Sequence, residues 1–203
     1  MKIICIGRNY VKHAQELNNE IPGEPIFFLK PDTALLQKDH PFYIPSFSSD
    51  IHHEVEIVLR ICKEGKNISE EFASRYYNAL TVGIDFTARD IQQKQKEKGL
   101  PWEPAKAFDN SAPVGTMISL TELKDQKNIL FHLDVNGKTV QKGSSELMIN
   151  SFEKIISYVS TFITLRKGDL IFTGTPEGVA QVKPGDLLEC YLEDECLLKV
   201  NVE

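Results

Sequence analysis

Two spacings of apolar residues alternate along this chain, and the two-residue spacing of strands dominates. Ile3 to Gly7 is a short apolar run closed by a glycine, the pattern of a buried strand. Tyr10 to Asn18 reads as a short helix. The proline-rich stretch from Asn19 to Pro45 reads as extended chain around a β-like core at Ile26-Phe27-Phe28-Leu29. Ile51 to Ile61, IHHEVEIVLRI, alternates as one strand. Ser69 is placed to cap a helix running to about Leu80, with Phe72, Tyr76 and Leu80 at four-residue spacing. Leu80 to Asp85, LTVGID, reads as a strand. Thr87-Ala88-Arg89-Asp90 resembles a capping box with aspartate in place of glutamate, opening a polar helix that runs to about Lys98 and stops at Gly99-Leu100-Pro101.

In the second half, Ile129 to Val135 alternates as a strand, Asn136-Gly137 is the strongest hairpin signal in the chain, and Thr139 to Lys142 forms the return. Ser151 starts a helix whose apolar face is Ile155, Ile156, Val159, Phe162 and Ile163. RKGDLIF and VKPGDLLEC each present a Lys/Gly/Asp turn feeding a strand. Neither a regular strand–helix alternation nor a G-x-G-x-x-G occurs. These elements predict an α+β, β-rich fold with mainly antiparallel or mixed sheet. Nothing reads as a linker, so one domain over residues 1–203 is expected, with an N-terminal segment (1–45) preceding a core (46–203).

Composition narrows the class of partner. The net charge of −6 provides no basic excess to neutralise phosphates, which argues against nucleic acid and anionic membrane. The apolar run at the N-terminus is too short for a signal peptide, and no apolar run reaches the roughly 18 residues of a membrane span. Asn67-Ile68-Ser69 matches a glycosylation acceptor but, with no secretion signal, reads as chance. Cys5, Cys62, Cys190 and Cys196 form no C-x-x-C pair, and a reduced, cytoplasmic setting is the simplest reading.

Charge within the apolar rhythm marks the candidate chemistry. Glu54 and Glu56 share strand parity, with Cα atoms roughly 6.6 Å apart, so both carboxylates can converge on one cation. A solvated acidic face on an edge strand would leave the same pattern. Asp85 closes an apolar strand, which suits a third ligand and equally a helix cap. Three carboxylates favour a hard cation such as Mg²⁺, Mn²⁺ or Ca²⁺. His52 and His53 leave Zn²⁺ open, but adjacent strand residues face opposite ways. His13 and Glu16, at i and i+3, pair an imidazole with a carboxylate, as a general base requires; surface helices carry many such pairs. Lys106, among small and apolar residues, suits stabilisation of an oxyanion or enolate, or stands as a surface lysine. In FTGTPEGV, backbone N–H groups and the Thr175 hydroxyl can hold a carboxylate, or the segment is an ordinary loop.

Several of these stretches together resemble the fumarylacetoacetate hydrolase family, and within it the short acylpyruvate hydrolase and oxaloacetate decarboxylase group. The resemblance lies in GRNYVKHAQE, EPIFFLKP, HHEVEIVL, GIDFTARDIQ, KGLPWEPAKAFDNSAPVG, LDVNG and GDLIFTGTPEGV, in that order over nearly the whole chain. It implies stacked mixed β-sheets forming a roll, a homodimer, and Mg²⁺ or Mn²⁺ on Glu54, Glu56 and Asp85. It implies a catalytic dyad, His13 and Glu16, on a lid-like segment, with Lys106 as the active-site lysine. Arg89 and Gln92 match positions that grip the substrate, and Gly174 and Thr175 match the loop that holds its carboxylate. The family pattern continues past GTP-x-GV with a glycine where this chain has Ala180-Gln181, which is expected to alter loop shape or substrate preference.

The implied activity is metal-dependent cleavage of a C–C bond in acylpyruvates (2,4-diketo acids), decarboxylation of oxaloacetate, or both. Isomerase, decarboxylase or hydratase chemistry on hydroxymuconate-type or 2-hydroxyhepta-2,4-diene-1,7-dioate-type diacids needs the same parts. Two readings of other classes are a metal-dependent phosphohydrolase, disfavoured because no phosphate cradle is present, and a non-catalytic metal- or ligand-binding protein.

Overall fold

The computed structural model describes residues 1–17 and 20–203. Along the chain the elements are β1 (Ile3–Gly7), α1 (Val11–Glu16), β2 (Ile26–Lys30), β3 (Ile51–His53), β4 (Val55–Ile61), α2 (Glu70–Ala73), β5 (Tyr77–Ile84), β6 (Thr87–Ala88), α3 (Arg89–Lys98), α4 (Glu103–Lys106), β7 (Ile118–Ser119), β8 (Leu130–Val135), β9 (Lys138–Ser144), α5 (Phe152–Phe162), β10 (Leu170–Phe172), β11 (Ala180–Gln181), β12 (Leu187–Leu192) and β13 (Glu195–Asn201). The first helix therefore starts one residue later than its pattern suggests, and its expected end at Asn18, like the start of the extended segment at Asn19, lies outside the described residues.

The strands form three sheets, with orders β2-β1-β10-β4-β5-β7, β11-β3-β6 and β13-β12-β8-β9. Among the described strands only β1 and β10 pair in parallel, so the largest sheet is mixed while the four-stranded sheet is antiparallel. The β-rich α+β expectation holds. Strands β1, β4 and β5 are apolar on both faces because the largest sheet is covered on both. On one side Ile4, Ile57, Leu59 and Ile171 meet Ile155, Ile156 and Val159 of α5 and Leu133 and Leu188 of the four-stranded sheet. On the other, Ile3, Cys5, Val58 and Phe172 pack under Ala34 and Ala112. Strand parity puts Glu56 on this second face, with Val58.

Two expected elements are corrected. The strand from Ile51 to Ile61 is two strands in two sheets, broken at Glu54. Glu54 C=O accepts from Asp85 N–H at 2.8 Å, and Val55 N–H donates to the Gln141 side chain at 3.1 Å. At the break these two bonds stand where ladder bonds would. The helix expected from Ser69 to Leu80 is only Glu70–Ala73, followed by a single 3₁₀ turn, and the chain is a strand from Tyr77. Pairing with β4, which sets Leu80 against Leu59 in the core, outweighs a helical spacing whose first member, Phe72, is exposed.

Smaller differences follow from hydrogen bonding. Thr87-Ala88 is a strand, and α3 begins without a side-chain cap. Ser151 does cap α5, accepting from Lys154 N–H at 3.2 Å, but Phe162 is exposed and not part of the buried face. Asn136 and Gly137 both take positive φ, 53° and 75°, as a type I′ hairpin requires. The two Lys/Gly/Asp turns are built alike: Asp169 accepts from Arg166 N–H and Asp186 from Lys183 N–H, each at 2.8 Å.

Gly83, opposite Glu56 in the β4–β5 ladder, has no room for a side chain. A Cβ there would stand 2.8 Å from Phe172 Cε1 and 2.9 Å from both Val58 Cγ2 and Pro113 O. Gly83→Ala is expected to destabilise the protein by about 1–3 kcal/mol through overpacking, read as a lower urea midpoint at unchanged m-value.

Candidate active site

The ends of β2, β4 and β5 and the loop after β10 meet on the smaller-core face of the large sheet. Glu54 occupies the break before β4, Glu56 is its second residue, and Asp85 directly follows β5. All three are buried, and one carboxylate oxygen of each lies within 4.8 Å of the others. The sequence-predicted acidic cluster is thus brought together, although by a broken strand.

Three cations neutralise it from behind and beside. Lys106, at the end of α4, donates to Glu54 Oε2 at 2.7 Å, Asp85 Oδ2 at 2.8 Å and Thr87 Oγ1 at 2.6 Å. Arg89, at the start of α3, donates to Glu54 Oε1 at 2.5 Å and to Gln92 Oε1 at 2.6 Å. Lys30, the last residue of β2, has a fully buried side chain and places Nζ 2.8 Å from Asp85 Oδ1. That oxygen has a charge partner but no aligned hydrogen bond. Lys30 also donates to the Ser111 hydroxyl at 2.9 Å and to the carbonyl of Lys106. Sequence reasoning missed Lys30. Its signal was a lysine closing the apolar run IFFLK, the counterpart of Asp85 closing LTVGID.

The three carboxyls are not equivalent. Burial pushes Glu54 up, but Lys106 and Arg89 outweigh it and hold the carboxyl well below the usual range. Glu56 has no ion pair among the described residues; its Oε2 accepts only from Gly174 N–H, at 2.6 Å. Burial, then the charges of Asp85 and Glu54, push it well above the usual range. Lys106 loses basicity to burial and regains more from Asp85 and Glu54, so it stays protonated. An all-oxygen set with one uncompensated carboxylate and one unaligned oxygen fits a hard divalent cation. His52 and His53 lie outside the set: His52 Nε2 is 2.9 Å from Asp50 Oδ1 and His53 Nδ1 is 2.9 Å from Gln141 Oε1.

His13 and Glu16, on α1, line the same pocket's wall or brace it. His13 is buried and faces the pocket with Nδ1 3.3 Å from Glu16 Oε2, while Glu16 Oε1 accepts from Gly178 N–H at 3.0 Å. Burial lowers the proton affinity of His13, and Glu54 and Glu16 offset this only in part. Thr175 lines the pocket too, and Gly174 precedes it at φ 106°. A Cβ on Gly174 would stand 2.6 Å from Cβ of Asn9, a buried residue whose amide donates to Thr173 O at 2.8 Å. Glycine is required there because β1's exit and the loop touch. Ala180, where this chain departs from the family pattern, is exposed in β11, is not at positive φ and does not line the pocket.

Arg8, Lys96 and Gln92 line the pocket with Arg89. Arg8 takes φ 57°, a left-handed conformation uncommon for a side-chain-bearing residue. Burial, then the charges of Arg8 and Arg89, lower the proton affinity of Lys96. Neither Arg8 nor Lys96 was singled out from the sequence, where lone basic residues look solvated. Among the described residues, no helix is long and apolar enough to cross a membrane.

With this geometry in hand, comparison with known proteins is specific. The mitochondrial oxaloacetate decarboxylase of Dictyostelium discoideum is 46% identical over 190 residues, covering 93% of this chain and 87% of the relative. The mitochondrial oxaloacetate tautomerase FAHD1 of Bos taurus is 40% identical over 201 residues, covering 99% and 91%. The structure of fumarylpyruvate hydrolase from Pseudomonas aeruginosa in complex with Mn²⁺ and pyruvate superposes with a TM-score of 0.93 at 36% identity, covering 100% of this chain and 89% of that one. The model of the fumarylacetoacetate (FAA) hydrolase C-terminal family matches residues 2–202, and the chain belongs to that family.

Proposed function

We propose that this enzyme acts on small 2-oxo diacids, with oxaloacetate as the lead substrate, using a divalent metal ion, Mg²⁺ or Mn²⁺, held by Glu54, Glu56 and Asp85. The observation that carries this reading is the charge arrangement of the pocket. Glu54, Glu56 and Asp85 line one pocket together with Arg8, Arg89 and Lys96, so a metal ion and a second carboxylate of the substrate each find opposite charge there. The names of the relatives support the same class of substrate.

A bound divalent ion supplies Lewis-acid polarisation of the 2-oxo group. The protein's own groups do the rest. Thr175 and Gly174 hold the carboxylate next to the oxo group. Arg8 and Lys96 orient the distal one. Neutral His13 takes a proton from C3, or returns one to it, with Glu16 fixing the imidazole and stabilising its charged form. The Lys106 ammonium stabilises the enolate oxygen that forms. Loss of CO₂ from oxaloacetate instead leaves the enolate of pyruvate, whose oxygen meets the same ammonium.

The His13-Glu16 pair favours one further reading, hydrolysis of acylpyruvates. His13 removes a proton from water, the hydroxide adds to the distal carbonyl, and the C–C bond breaks to give a carboxylic acid and the pyruvate enolate, which His13 reprotonates at carbon. The test is turnover of oxaloacetate and acetylpyruvate with Mg²⁺ or Mn²⁺ and with EDTA. Metal-dependent loss of enol absorbance and release of pyruvate are expected; silence on both substrates with metal bound overturns the reading.

The lowered proton affinity of His13 sets the pH dependence. Its neutral form persists to more acidic pH than the ordinary histidine value of about 6.5. The acid limb of kcat/KM is therefore expected below pH ~6.5, with activity lost as pH falls through it. In His13→Ala that limb should disappear together with most hydrolysis. A limb unmoved by the substitution would assign the proton to another group.

A further inference from the structure

We propose that Gln141 is a positioning residue that forces Thr175 to donate its hydroxyl proton into the active-site pocket, and that His53 locks Gln141 in that orientation. The inference rests on the reading above that Thr175 holds a substrate carboxylate.

Gln141 lies on β9, in the four-stranded sheet, yet its side chain is only 1% exposed and reaches across to the large sheet and the loop after β10. Its Oε1 accepts from Val55 N–H at 3.1 Å and stands 2.9 Å from His53 Nδ1. Its Nε2 donates to Pro176 O and to Thr175 Oγ1, both at 2.9 Å. These four bonds use the full capacity of a primary amide, two acceptor and two donor sites. An amide's orientation is often ambiguous. Here backbone groups decide it. Val55 N–H can only donate and Pro176 C=O can only accept, so oxygen faces Val55 and nitrogen faces Pro176.

Two consequences follow from that orientation. His53 must carry its proton on Nδ1, since it faces an oxygen. Thr175 Oγ must accept from Gln141, so its own proton points elsewhere. Among the described residues nothing accepts that proton, and Thr175 is a buried residue lining the pocket. The hydroxyl is therefore a dedicated donor toward whatever anion or carbonyl oxygen occupies the pocket. The same contact explains the close approach of β9: a Cβ on Gly178, at φ 97°, would stand 2.3 Å from Val140 O and 3.4 Å from Gln141 Cγ. Gln141 also holds the N–H freed by the strand break, so one side chain joins the metal-ligand strand to the carboxylate loop.

The test uses the metal-loaded enzyme with oxaloacetate and the substitutions Gln141→Glu and Thr175→Val, alone and combined. A carboxylate at 141 still accepts from Val55 N–H and His53, gives up the bond to Pro176 O, and draws the Thr175 proton inward. A hydrogen bond to a charged group is worth about tenfold to hundredfold, so each single variant should raise KM by that factor with a smaller change in kcat. The double variant should be no worse than Thr175→Val. An unchanged KM in Thr175→Val overturns the underlying reading of the loop. A raised KM there, with Gln141→Glu unchanged or with the two effects multiplying, overturns the role of Gln141 alone. Should Gln141→Glu fail to fold, ¹⁵N NMR of the parent enzyme decides: His53 protonated on Nδ1 is expected, and the Nε2–H tautomer overturns the proposal.

Discussion

Glu56→Gln is expected to weaken Mn²⁺ binding by at least about 100-fold while leaving the metal-free protein no less stable than the parent. Removal of a partner behind a metal ligand typically costs 10–100-fold, and loss of a ligand's charge costs more. Glutamine retains an oxygen that can accept from Gly174 N–H, so the loop keeps its anchor. The stability half of the prediction follows from the raised proton affinity of Glu56. A carboxyl raised in the folded state adds stability that is full below its unfolded value of about 4.3 and is lost as pH rises through the folded value. In EDTA, the parent should therefore lose stability relative to Glu56→Gln as pH climbs above about 4.3. Urea midpoints across pH and calorimetric Mn²⁺ titration read the two halves separately. Metal affinity equal to the parent's would remove Glu56 from the ligand set.

Lys106→Met is expected to show the opposite pattern. Its ammonium bridges Glu54 and Asp85, and its removal leaves buried carboxylates short of a counter-charge. Breaking a buried pair by deleting one partner costs about 3–5 kcal/mol, so the metal-free variant should melt well below the parent. Mn²⁺ binding should be kept or tightened, because a competing cation has gone, and saturating Mn²⁺ should recover much of the melting temperature. Activity should not recover. Loss of one preorganised group facing developing negative charge costs about 10²–10³ in kcat. A metal-saturated Lys106→Met enzyme with parental kcat would leave Lys106 a purely structural counter-ion. Together the two variants separate holding the metal from stabilising the enolate.

Much of the site was legible because its chemistry breaks a local rhythm. Glu54, Glu56 and Asp85 interrupt apolar strands, His13 and Glu16 share one helical face, and the glycines of FTGTPEGV announce a tight loop. The remainder was hidden for definite reasons. Lys30 is one of many lysines until β2 is set beside β1 and its side chain is enclosed. Gln141 is an uncharged residue in an ordinary hairpin strand, 88 positions from His53 and 34 from Thr175. Arg8 is a lone basic residue in sequence and meets the acidic cluster only in the folded pocket.

The sequence by itself determined the β-rich class, the central apolar strands, the hairpin at Asn136-Gly137, the three acidic residues that interrupt apolar strands and the family. Each of these depends on residues close in the chain or on motifs whose order is preserved. Tertiary structure alone decided that the acidic strand breaks at Glu54, that the segment after Tyr76 joins the sheet instead of extending a helix, and which cation meets which carboxylate. The physical reason is common to all three. Backbone groups and buried charges must find partners, and here those partners, Asp85 N–H, Gln141, the β4 ladder and Lys30, are supplied by segments that only folding brings within a few ångströms.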